Sequence, residues 1–107
     1  MADAARGPCR PQVGQLRAVA LRGWAIAEQL IRSAGSIAAN IKEGYGRGLG
    51  RQFAQFLGYS LGSTRESRGW YDRGRRLLDL ETIRHRYRIL TQIIRLLTVA
   101  VRQQRNP

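Results

Sequence analysis

Cysteine occurs once in the 107 residues, as Cys9, so the chain cannot build an intrachain disulfide framework or a cysteine-based metal site. Histidine also occurs once, as His85, which excludes a histidine-rich metal cluster. Proline is confined to positions 8, 11 and 107, leaving the whole interior free to be helical. No apolar run approaches the roughly 18 residues of a membrane span. The opening stretch MADAARGPCRPQ lacks the apolar core of a secretory signal. These absences lead to the expectation of a cytoplasmic protein with no membrane association, no cofactor and no metal.

Acidic residues are scarce too. Asp and Glu number 7 against 19 Lys and Arg, a formal net charge of +12. Lys42 is the single lysine, so the basic excess is almost wholly arginine. A guanidinium grips phosphate or carboxylate with two parallel hydrogen bonds. A G+C-rich genome also writes Arg in place of Lys, so the ratio alone assigns nothing. The net charge is a physical fact in either case: such a field on a small body draws RNA, DNA or an acidic protein. Hydrophobic residues make up 43%, enough for a packed core and too many for a disordered tail. The length is that of one small domain. A chain of this size buries only about two thirds of its unfolded surface, so contacts outside the chain matter to it.

Residues 1–12 read as a disordered leader and 13–107 as a single helical bundle domain. The first helical stretch runs from Val13 to Lys42, with a break at Gly23 left open. Its apolar spacing is helical: Trp24, Ala27, Leu30 with Ile31, Ala34, Ile37 with Ala38, and Ile41. Alanines at 34, 38 and 39 leave room for a close helix neighbour. Four glycines in the stretch from Gly44 to Gly50 stop the helix, with Gly44 as a left-handed C-cap. A second helix starts near Arg51, and its small residues at 60, 63, 67 and 74 imply tight backbone approach. Arg68–Asp72 and Asp72–Arg76 are spaced as i,i+4 ion pairs. The third helix is capped by Thr82 or Asp79. One seam is Ile83, Tyr87, Leu90, Ile94, Leu97 and Val101; a second is Ile89, Ile93, Leu96 and Ala100. Together they cover about half the circumference, which implies burial on two sides, against an intrachain core and a partner chain.

The opposite face of that helix carries Arg84, Arg88, Arg95 and Arg102, which project within about 40° of one another on an ideal helix. No acidic residue follows Glu81, so three of the four lack a local partner and only Arg84 has one within reach. A solvated face accounts for such a stripe, as does a phosphate-tracking one. A stripe of this kind positions nucleic acid without reading its sequence. Arg73, Arg75 and Arg76 form a second basic group. Ser33, Ser36, Asn40 and Glu43 step 3-4-3 along one face, which reads as a buried polar seam with Glu43 paired to Arg47. An enzyme built on Glu43, Glu66 and Arg47 would need a closed pocket with perturbed carboxylates. The run Gly44-Tyr45-Gly46-Arg47-Gly48 superficially looks like a phosphate loop, but it lacks the preceding strand and the Lys-Ser/Thr pair. Loop closure between antiparallel helices explains its glycines better, although Arg47 and Arg51 at the next helix start are placed to hold one phosphate. Cys9 reads as incidental and His85 as a surface or interface contact. Trp70 and Tyr71 read as core or interface rings ahead of base-stacking ones.

The constellation Gln29-Leu30 with Ser36-Ile37-Ala38-Ala39-Asn40-Ile41-Lys42-Glu43-Gly44-Tyr45-Gly46-Arg47 resembles the signature of the four-helix-bundle proteins of 23S rRNA intervening sequences. Phe53, Phe56-Leu57, Leu61-Gly62-Ser63 and Glu66-Ser67-Arg68-Gly69-Trp70-Tyr71 continue it, as do Arg73 to Leu78, His85-Arg86 and Leu90 to Leu97. The resemblance covers roughly residues 24–105. It implies an all-α antiparallel up-and-down bundle that assembles as a ring, typically a homopentamer, with no enzymatic activity. A related branch, the accessory variability proteins of diversity-generating retroelements, forms basic rings that engage a reverse transcriptase and nucleic acid. The motif residues Ser36, Asn40, Glu43, Gly44, Tyr45, Gly46 and Arg47 are expected to be structural. Ala38 stands where the family usually has proline, so a kink is not expected there. The family's first apolar helix is shortened or missing: Val13 to Arg22 is either its stub or an extension of the next helix into one rod. The expected partners are nucleic acid, RNA above all, or an acidic protein, together with further copies of the chain.

Overall fold

The computed structural model describes residues 13–106, so expectations for the leader and for Cys9 lie outside the described residues. Three helices follow one another: α1 (Val13–Gly46), α2 (Arg51–Arg73) and α3 (Leu80–Arg105). The all-α, up-and-down expectation holds. Gly44 meets Phe53 and Phe56 while Ser33 meets Ser67, which makes α1 and α2 antiparallel. The Gly50 amide donates to Gln104 Oε1 at 2.9 Å, which ties the start of α2 to the end of α3. The middle helix α2 touches both neighbours, whereas α1 and α3 have no Cα atoms within 8 Å of each other. The principal extents are 69 × 23 × 13 Å. With helices about 10 Å across, the three occupy three corners of a bundle, α2 at the middle one.

Gly23 does not interrupt α1, which is unbroken over 34 residues and about 51 Å long. Gly23 lies beside Leu77 and Gly74 lies beside Ile26, so α1 runs on past the end of α2 and residues 13–22 extend it as one rod. Ala38 keeps the backbone N–H that a proline would lack, and the helix passes straight through it. The expected C-cap at Gly44 is displaced. Helix continues to Gly46, and the positive φ angles fall at Gly48 (90°) and Gly50 (101°). Gly44 serves a different purpose: a Cβ there would stand 2.7 Å from Phe56 Cβ and 3.0 Å from Phe53 Cδ1. Its missing side chain is what lets α1 and α2 approach at this end.

The α1–α2 interface is a hydrogen-bonded ladder of small polar residues. Ser67 Oγ lies 2.8 Å from Ser33 Oγ, and Ser63 Oγ lies 2.9 Å from Ser36 Oγ. Ser60 donates to the Ile37 carbonyl, and Asn40 Nδ2 donates to both oxygens of Ser36. Ser60, Thr64 and Ser67 are fully buried, at 0% exposure, and every such group has a partner. The α2–α3 side supplies the buried apolar residues Ala54, Leu57, Leu90 and Leu97. Arg68 crosses that interface rather than pairing with Asp72 as its spacing predicts. Its guanidinium donates to Thr91 Oγ1 and lies 5.2 Å from the Tyr87 ring. Asp72 instead pairs with Arg75 at 3.1 Å, because the chain leaves α2 at Gly74 before Arg76 can complete a helical turn.

Candidate functional site

The arginine stripe is set in phase by the start of α3. Asp79 caps that helix: its side chain accepts from the Thr82 amide at 3.1 Å and from the Thr82 hydroxyl at 2.6 Å. The hydroxyl bond and then the amide bond hold the Asp79 carboxyl below its ordinary value. From there Leu90 and Leu97 turn inward onto α2, and the four arginines lie about 145° around the helix from them. Arg84, Arg88, Arg95 and Arg102 are all exposed. They span about 27 Å, with successive steps of about 6, 10.5 and 10.5 Å. The ion pairs among the described residues are Arg47–Glu43 and Arg75–Asp72, so none involves the stripe. Glu81, the one carboxylate within sequence reach of Arg84, does not engage it.

The second basic group is less free than its sequence suggests. Arg75 is held by Asp72, and Arg73 stacks 4.5 Å over the Trp70 ring. Of the three, Arg76 alone has neither an ion pair nor a ring contact among the described residues.

The proposed carboxylate pair does not form. Ser67 packs at the level of Ser33, whereas Phe56 packs at Gly44, which places Glu66 and Glu43 about 15 Å apart along the bundle. Glu43 accepts from Arg47 and Glu66 from Trp70 Nε1. Both are exposed, and no described cavity joins them. The Glu43–Arg47 pair also occupies the arginine expected to hold a phosphate beside Arg51. An apolar cavity of about 180 Å³ lies at the other end, between α1 and the α2–α3 turn, lined by Ile26, Leu30, Trp70, Tyr71, Leu77 and Leu78. Trp70 and Tyr71 thus belong to an apolar contact region, as expected. The remaining motif residues make contacts within the chain. Ser36 and Asn40 sit in the polar ladder, Tyr45 lies edge-on to Phe53 at 6.3 Å, and Gly46 ends α1.

One broad apolar stripe on α1 resolves into two seams. Gly23, Ile26, Leu30, Ser33, Ile37, Asn40 and Gly44 face α2. Trp24, Ile31 and Tyr45 stand 68%, 73% and 73% exposed, with Ala27, Ala34 and Ala38 between them. Ala34, Ala38 and Ala39, expected to leave room for a close helix neighbour, are exposed; the close approach lies on the serine face. On α3 the second seam is only partly covered: Leu96 is 71% exposed, Ile89 is exposed, and Ile93 and Ala100 are half-buried. The exposed seam is rotated about 120° from the α2-facing side on α1 and about 90° the opposite way on α3. Since α1 and α3 run parallel, opposite rotations turn both seams toward the same corner of the bundle. The arginine stripe points away from that corner.

The sequence that builds this geometry has a counterpart among known families. The family model described as 23S rRNA-intervening sequence protein matches residues 21–99. The chain belongs to that family. Neither a curated protein nor a solved structure matches it. In this 23S rRNA-intervening sequence protein the matched region opens where α1 begins to pack on its neighbours, takes in all of α2, and ends within α3. It therefore includes the polar ladder, the Gly44 contact, and Arg84, Arg88 and Arg95, while Arg102 lies beyond it. No helix among the described residues is long and apolar enough to cross a membrane.

Proposed function

We propose that this 23S rRNA-intervening sequence protein is a non-enzymatic, basic, oligomeric scaffold of the cytoplasm that binds nucleic acid by charge and shape, RNA first. The observation that carries the reading is the row of four exposed guanidiniums on α3, none held by a carboxylate. An ion-paired row would be a solvated face and nothing more; an unpaired one on a chain of net charge +12 is a surface for phosphates. RNA comes first because the family takes its description from an rRNA locus. Reversing Arg88 and Arg95 to glutamate is expected to weaken RNA binding and to flatten its dependence on salt, by about one unit of slope for each phosphate no longer neutralised. An unchanged slope would sink the reading.

The two incompletely covered seams favour a second reading, an interaction module that docks an acidic protein such as a reverse transcriptase. Both readings include self-association, with the homopentamer implied by the family resemblance as the first candidate. Light scattering on a column, combined with the 260/280 nm absorbance ratio at low and high salt, separates them. A multimer carrying salt-labile nucleic acid supports the scaffold; a clean multimer that retains a protein after nuclease treatment supports the module.

A further inference from the structure

We propose that the α3 stripe takes the sugar–phosphate backbone of a nucleic-acid duplex rather than a single strand; the inference rests on the nucleic-acid reading above. Surfaces that hold single strands interleave cations with aromatic rings, because unpaired bases stack on those rings. The arginine sector of α3 contains no phenylalanine, tyrosine or tryptophan. The one ring at its border is the imidazole of His85, which shares a surface depression with Arg84 and Arg88 near the start of the helix, while Arg95 and Arg102 have no ring on their part of the row. Tyr87 on the same helix is 42% exposed, and its ring is engaged across the α2–α3 interface by the Arg68 guanidinium. The other rings are placed elsewhere. Tyr45, Phe53, Phe56 and Tyr59 cluster where α1 meets α2, and Trp70 is covered on one face by Arg73.

The geometry of the row points the same way. An unbroken helix of 26 residues holds the four cations on a rigid line. That line fits phosphates whose spacing a duplex has already fixed, whereas a flexible single strand would have to be ordered along it. A duplex also presents one charge per ~1.7 Å of axis from its two strands together, against ~3.4 Å for either strand, so it gains more from a row with no stacking partner. Because the stripe faces away from the corner where the apolar seams converge, covering those seams leaves it accessible.

Fluorescence anisotropy of the full chain tests this with three labelled probes: an RNA duplex of about 20 base pairs, a DNA duplex of the same length, and a single-stranded oligouridine of about 20 nucleotides. Each is longer than the roughly eight base pairs that the stripe spans. Both duplexes are expected to bind at least about tenfold more tightly than oligouridine at matched salt. The duplex slope of log affinity against log salt is expected near −3.6 for four phosphates neutralised, falling in magnitude by about 0.9 when Arg95 becomes alanine. Fluorescence of Trp24 and Trp70 should not change when duplex is added. Oligouridine bound as tightly as the duplexes, or tryptophan quenching by oligouridine with an affinity equal to theirs, would overturn this inference and leave the broader reading standing. No salt-dependent binding to any probe would remove both.

Discussion

A single methyl group separates two kinds of glycine in this chain. At Gly44 an added Cβ would stand 2.7 Å from Phe56 Cβ, which cannot swing aside as the end of a long side chain would. At Gly35 and Gly62 an added Cβ meets nothing within 4 Å. Gly44→Ala is therefore expected to lower stability by about 1–3 kcal/mol through overpacking. Gly35→Ala and Gly62→Ala should each raise it by about 0.5–1 kcal/mol through helix propensity. Denaturant unfolding of the three variants checks this; a stabilised Gly44→Ala would mean that α1 and α2 do not approach as described. Sequence marked Gly44 as special but assigned it to the turn, because a glycine needed for φ and one needed for space look alike in a string of letters. The serines were more legible. On α2 their spacing signalled close packing, whereas on α1 they read as a polar seam and the alanines as the close-packing face, and nothing said which serine meets which. Ser67→Leu inserts bulk where exposure is 0% and is expected to cost about 1–3 kcal/mol, read by the same unfolding experiment.

At the scale of the element, α3 shows how a short-range signal fixes a long-range surface. The cap at Asp79 and the inward leucines set its phase, and the stripe direction follows. The stripe and the helix start were visible in the sequence, since capping and helical periodicity act within a few residues; that Asp79 rather than Thr82 is the cap, and that Leu90 and Leu97 turn inward, came with the structure. The depressed Asp79 carboxyl makes a pH prediction. A carboxyl with a folded value below its unfolded one stabilises the folded state above the ordinary value of 3.8. That contribution is lost as pH falls through the folded value. Thermal melts should therefore show Asp79→Ala below the natural protein by a few degrees at neutral pH, with the gap closing as the pH drops below 3.8. A gap that persists in acid would show that the cap does not act through its charge. Helix α1 was less legible. Its two seams are offset by one residue and merge into one apolar stripe on paper. Only the docking of α2 on the Leu30 and Ile37 side leaves Trp24 and Ile31 facing out.

The whole molecule is three corners of a bundle, with its apolar seams turned toward the fourth. Among the described residues the buried apolar core is only Ala54, Leu57, Leu90 and Leu97, too little for a chain this size to rely on by itself. Self-association through the seams predicts that Ile31→Glu combined with Leu96→Glu lowers the mass measured by light scattering while circular dichroism keeps its helical form. An unchanged mass would place the self-association surface elsewhere. The amino-acid sequence alone determined the helical class, the charge, the capped third helix and its arginine row. Each of these rests on composition or on interactions within one or two helical turns. Tertiary structure decided what depends on packing between distant segments. It carried α1 through Gly23 as one rod, gave Gly44 to packing, sent Arg68 across to α3, and held Glu43 and Glu66 apart. It also turned two incompletely covered seams toward one corner. The physical reason is that helical spacing fixes which residues share a face, whereas only the packing of one helix on another decides which face is covered.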